Sequence, residues 1–146
     1  MNWLFLGIAA ASGILMAIQG AINGMVGKIT GVLEGNFLVH VIGLALVAIL
    51  LFVFGLGQGN IAKIPQIPWY GYLGGVINVG IIYGVMFSIP KIGATNATTA
   101  IIVGQVAMAM MVDWMGMFGL EKVPMHWTKV VGLVLLAAGG KMMLGK

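Results

Sequence analysis

Val41-Ile42-Gly43-Leu44-Ala45-Leu46-Val47-Ala48-Ile49-Leu50-Leu51-Phe52-Val53-Phe54 is a run of fourteen residues without a polar side chain. Extended outward from Asn36 to Leu56, it reaches the ~20 residues a helix needs to cross roughly 30 Å of hydrocarbon. That is longer than a buried core helix requires. Four more segments of this kind complete the chain, and their limits are expected near residues 3–27, 69–90, 94–116 and 123–144, with the quoted run inside 35–56. The expected fold is an all-α integral membrane protein of five transmembrane helices in a single membrane domain, residues 1–146.

Composition agrees. Of 146 residues, 61% are hydrophobic and 7% charged, with a mean hydropathy of +1.12. A soluble domain carries about 25% charged residues. The formal charge of +4 suits anionic lipid headgroups and is no evidence for a nucleic-acid partner. The chain has no cysteine, so disulfides and thiolate metal sites are excluded. Met1-Asn2-Trp3-Leu4 lacks a basic segment, and no small-x-small cleavage site ends a short apolar core. The first apolar stretch is therefore expected to be a retained span.

The connections are polar or rich in turn formers. Gly57–Pro68 carries Gly57, Gly59, Asn60, Lys63, Pro65 and Pro68, which exclude it from the membrane. Trp69, Tyr70 and Tyr72 follow at the depth of an aromatic belt. Pro90-Lys91-Ile92-Gly93 is expected to be a tight connection, and Met117–Pro124 a short loop with Glu121 and Lys122. The fifth segment has the shortest apolar core, Val130–Gly140, bracketed by Lys129 and Lys141. Those lysines stand about 18 Å apart at helical rise, and snorkelling would extend their reach. A short interfacial or re-entrant helix is the alternative there.

The seven cationic residues are all lysines, and they do not choose a side. Five crossings place Lys63, Lys122, Lys129 and the amino terminus on one face, and Lys28, Lys91, Lys141 and Lys146 on the other. The excess of basic residues that normally orients a membrane protein is almost absent. Insertion both ways up, and pairing as an antiparallel homodimer of ten helices, is the expectation.

Small residues mark packing surfaces, because helices in lipid associate through close backbone approach. Gly20 and Gly24 form one small-x3-small pair in the first span. Gly71 and Gly75, then Gly80 and Gly84, form two in the third. Packing inside one subunit and a dimer seam both remain open.

Polar groups at membrane depth are costly unless they face a cavity or a partner. Gln19 and Asn23, four apart, share one helical face. Asn78 lies near the middle of the third span, with Tyr83 beyond it. Thr95, Asn96, Thr98 and Thr99 open the fourth span, and Gln105 follows Thr98 on the same face. The threonine-rich stretch reads equally as a helix cap or a cavity lining. The candidate solute-binding residues are Gln19, Asn23, Asn78, Thr98 and Gln105. Asp113, the one acid within an apolar segment, is the proton-coupling candidate, or else an interfacial acid paired with a lysine. His40, Tyr83 and Asn96 rank lower. Histidine as a residue type is the usual switch at neutral pH, but a lone histidine at a span end, as at position 40, is more often solvated. No cluster has metal-ligand spacing, no catalytic set is present, and no cofactor is expected, so the chain is not read as an enzyme.

Ile18-Gln19-Gly20-Ala21-Ile22-Asn23-Gly24, the block from Gly74-Gly75 to Pro90-Lys91-Ile92-Gly93-Ala94, then Gly104-Gln105 and Asp113-Trp114-x-Gly116, carry a resemblance. Together they resemble the five-helix bacterial branch of the drug/metabolite transporter superfamily, the YdcZ-type proteins. Small multidrug resistance and EamA-type transporters are related. The resemblance covers nearly the whole chain and implies a half-transporter in the bacterial inner membrane that pairs with an inverted copy. It also implies that the first four helices surround the path and the fifth contributes to dimer contact. Four-helix relatives use a glutamate in the first helix for proton and substrate exchange. This first span has no acid and offers Gln19 and Asn23 instead.

Three functions follow as expectations. The first is a secondary transporter of a small polar metabolite or cation, working by alternating access in the antiparallel dimer. The second is a passive channel of dual topology, and the third a non-transporting scaffold subunit. The expected partners are the lipid bilayer, a second copy of the chain and a small polar solute.

Overall fold

In the computed structural model, residues 2–144 are described. Lys146, counted in the lysine balance, lies outside them. Five α-helices run through the described residues: α1 (Trp3–Thr30), α2 (Val32–Ala48), α3 (Leu73–Ile92), α4 (Ala94–Met115) and α5 (Trp127–Met143). No strand occurs among the described residues. Four stretches are long and apolar enough to cross a membrane: Trp3–Thr30, Val32–Val53, Trp69–Ile92 and Ala94–Met115. α5, with 17 residues, measures about 25 Å.

The packing divides the chain into two compact units, residues 1–91 and 92–146. In the first unit, α1 begins at Asn2, whose side chain accepts from the Leu4 amide at 3.1 Å. The helix runs past Lys28 to Thr30, three residues beyond the expected limit, because nothing before Gly31 ends it. Gly31 is then the whole connection to α2. Its φ of +99° belongs to a region that side-chain-bearing residues rarely enter. Lys28 falls in the last turn of α1, where the helix dipole favours a cation.

α2 likewise starts three residues before its expected limit, which moves His40 about 12 Å along the helix from its start. The helix ends in a π-helical turn, Ile49–Val53, where the Phe54 amide donates to the Ile49 carbonyl at 3.1 Å. The loop that follows is short-range structure: Asn60 accepts from the Ala62 amide, and the Tyr72 hydroxyl donates to the Ile64 carbonyl at 2.8 Å. Two 3-10 turns, Ile61–Gln66 and Trp69–Tyr72, lead into α3.

The seam between α1 and α3 is large-into-small. A Cβ on Gly20 would stand 3.0 Å from Ile89, one on Gly24 3.0 Å from Ile89, and one on Gly27 3.3 Å from Met86. Gly20, Asn23, Gly24 and Gly27 form the buried stripe of α1. The glycines of α3 lie elsewhere: a Cβ on Gly75, Gly80 or Gly84 would meet nothing within 4 Å, and one on Gly71 would meet Ile67. Pro90, expected in the connection, is inside α3, which continues to Ile92.

In the second unit, α4 starts after Gly93 with no side-chain cap, so the Thr95–Thr99 stretch does not cap it at that residue. The helix ends at Gly116. The Val123 amide then folds back onto the Asp113 carbonyl at 2.9 Å. α5 packs on α4 at Gly140, where an added Cβ would lie 3.1 Å from Thr99.

The buried apolar residues described are Ile82, Met86 and Ala97, whereas Leu44 and Phe52 are each 71% exposed. Side chains of that kind on helix exteriors fit lipid rather than water as the surrounding solvent.

Candidate functional site

The first unit holds a chain of polar contacts across α2 and α3. Asn36, 2% exposed, donates from its side-chain amide to the Val79 carbonyl at 2.8 Å. Its Oδ1 is buried and has no hydrogen-bond partner among the described residues. One turn further, His40 Nδ1 lies 2.8 Å from the Asn36 carbonyl. Its Nε2 lies 3.1 Å from Nδ2 of Asn78, the residue before Val79. The two helices are thus joined at neighbouring points by Asn36–Val79 and His40–Asn78.

A carbonyl can only accept, so the Asn36 contact places a proton on His40 Nδ1. Nε2 then accepts from the Asn78 amide in the neutral ring. His40 is half-buried, and Asn78 is exposed on α3. This arrangement therefore holds a ring nitrogen next to a carboxamide that still has one acceptor atom and one N–H to offer.

The remaining residues of this unit stand apart in burial. Asn23 sits in the buried stripe of α1, 4% exposed, while Gln19 one turn earlier is exposed. Tyr83 stacks on Phe87 with ring centroids 6.4 Å apart and planes 11° apart, and the Lys91 ammonium lies 3.4 Å above the Phe87 ring. This column draws the lysine along α3, a cation–π arrangement.

In the second unit, Asn96 and Thr98 are half-buried and Gln105 is exposed. Thr99 Oγ1 lies 4.0 Å from the Met143 sulfur, tying the start of α4 to the end of α5. Asp113 is half-buried at the end of α4. Among the described residues no group of three or more His, Asp or Glu side chains could hold a metal ion.

Sequence reasoning missed Asn36. It was read as the edge of a span, and its partner is a backbone carbonyl, which leaves no mark in a sequence. The available signal was the Asn36/His40 spacing of four, which puts two polar side chains on one face of an apolar helix.

Compared with protein families, residues 4–142 match the family described as "Putative inner membrane exporter, YdcZ". No curated protein and no solved structure matches the chain.

Proposed function

The chain belongs to the YdcZ family and is a multi-pass inner-membrane protein, and on that premise we propose that it is a half-transporter that exports a small polar metabolite or cation. Two copies inserted in opposite senses form the working unit. Each copy supplies the inverted half that alternating access requires, as in transporters built from inverted repeats. The balanced lysines support this pairing, because a chain without a charge bias has little to fix its orientation.

The observation that carries the reading is a set of polar side chains on helices whose exteriors are otherwise apolar. Such groups cost free energy in hydrocarbon unless a partner or a wet path receives them. Gln19, Asn23 and Asn78 of the first unit, and Thr98 and Gln105 of the second, are each proposed as solute-contacting residues. Their neutral donors and acceptors suit a polar solute without fixing its charge. Asp113 is the acid proposed to carry a coupled proton. The unpacked glycines of α3, Gly75, Gly80 and Gly84, are proposed as a surface for the second copy.

The test starts from a thermal-shift screen of cationic, anionic and neutral metabolites on the purified dimer, since a ligand that binds the folded state raises its stability. Saturable uptake of the resulting solute into liposomes should fall in Gln19→Ala and Asn23→Ala. Uptake unchanged in both removes these residues from the path.

A further inference from the structure

His40 is bonded at both ring nitrogens, and its two partners differ in what they can do. The Asn36 carbonyl, 2.8 Å from Nδ1, accepts in every state, so Nδ1 keeps its proton throughout. Nε2 is therefore the nitrogen left open to a second proton. It faces the Asn78 carboxamide at 3.1 Å, and a carboxamide can offer either an N–H or an oxygen. With Nε2 bare, the Asn78 N–H completes the pair. With Nε2 protonated, two donors face each other, and turning the carboxamide over restores the bond through Oδ1.

We propose that His40 is a proton-binding residue of the solute path, additional to Asp113, and that Asn78 converts its charge state into a change of ligand preference. Neutral His40 leaves Asn78 Oδ1 as the atom available to a solute. When Nε2 takes a proton from water, Oδ1 turns to the ring and the amide N–H groups become available instead. The site changes from acceptor to donor as it gains a positive charge. Both changes disfavour a solute that brings an ammonium group. Proton and amine cation thus exclude one another at one place, which is the condition for their exchange. The proposal deepens the exporter reading and rests on it for the solute.

The surroundings suit this role. Asn36 is the positioning residue: its bond to Val79 fixes α2 against α3 one residue from Asn78. The titratable groups on the elements around His40 are Lys28 on α1, Glu34 on α2, and Tyr83 and Lys91 on α3. Glu34 lies about 9 Å before His40 along α2, and Tyr83 about 7.5 Å beyond Asn78 along α3. Lys28 sits at the α1–α2 turn, and Lys91 is held over Phe87. Asn78 is therefore the group that sets the Nε2 partner.

The test is nuclear magnetic resonance of the full chain in lipid, with isotope-labelled histidine and asparagine side chains and His126→Gln to leave His40 alone. Neutral His40 should be the Nδ1–H tautomer, and the Asn78 side-chain amide signal should move with the His40 titration. In His40→Gln that movement should vanish. An Nε2–H tautomer, or an Asn78 signal that ignores the titration, overturns the proposal. Methylammonium is the probe for the ligand class, and should bind about tenfold tighter with His40 neutral than with it protonated. Equal binding in both states, or none, overturns the exclusion. Co-titration that persists while Gln19→Ala leaves uptake unchanged tells against the proposed solute lining and not against this pair.

Discussion

Asn36 donates its side-chain amide to the Val79 carbonyl at 2.8 Å and joins α2 to α3 across 43 residues of sequence. The same carboxamide buries an Oδ1 that has no partner among the described residues. The two effects oppose each other. An interhelical bond in a membrane contributes about 0.6 kcal/mol on average, whereas an orphaned buried acceptor costs about 1–3 kcal/mol. Asn36→Leu should therefore alter the unfolding free energy by less than about 1 kcal/mol if it destabilises at all. Thermal unfolding in detergent measures it. A loss above about 3 kcal/mol would show that Oδ1 is bonded in the folded protein.

Gly24 and Gly80 make a matched pair of opposite outcome. A side chain on Gly24 would press on Ile89 and Pro90, at 3.0 and 3.5 Å from its Cβ, so Gly24→Val should cost about 1–3 kcal/mol by overpacking. Gly80 has nothing within 4 Å, and Gly80→Ala should be neutral, or stabilising by up to about 1 kcal/mol through helix propensity. The same melts decide both. Cross-linking of the Gly80 variant adds a second reading: loss of the dimer with an unchanged monomer melt would assign the α3 glycines to the contact between copies.

Gly31 forms a one-residue turn at φ +99° and ψ 149°, where an added Cβ would collide with the Glu34 carboxylate. Gly31→Ala should therefore lose about 1–3 kcal/mol through backbone strain alone. Gly7→Ala, in the open interior of α1, is the control and should not lose stability. Equal melting temperatures for the two variants would mean that the turn relaxes freely.

These positions show which parts of the fold a sequence can reveal. The apolar runs and the proline-rich loop were legible because their chemistry is local: each residue reports on whether water or lipid surrounds it. Helix ends were less so. The first span was expected to end at residue 27, yet a lysine at a helix C-terminus is favourable and the chain turned only where Gly31 permitted it. That small error hid the depth of His40 and the identity of Asn36. Packing partners were also hidden. Glycine pairs occur on both α1 and α3, but the α1 glycines receive Val85, Met86 and Ile89, which carry no small-residue signature. Which face of α3 meets α1 is a tertiary fact that spacing alone does not contain.

Orientation gives the last prediction. Lys28, Lys91 and Lys141 occupy the last turns of α1, α3 and α5, while Lys63 and Lys122 lie in the connections after α2 and α4. With so little bias, a reporter fused to the carboxyl terminus should be detected in both compartments, and detection in one alone would sink the antiparallel homodimer. Two added lysines should then break the tie. Gln58→Lys with Gly59→Lys places them in an exposed loop where Gly59 has open space around it, so that loop should be held in the cytoplasm. If α5 crosses, the carboxyl terminus lies on the opposite face and the reporter should become periplasmic. If α5, about 25 Å long, stays on one side, the reporter should become cytoplasmic, and Lys141 would join the face of Lys63. That outcome would give the native chain a strong orientation and remove the charge argument for an inverted partner.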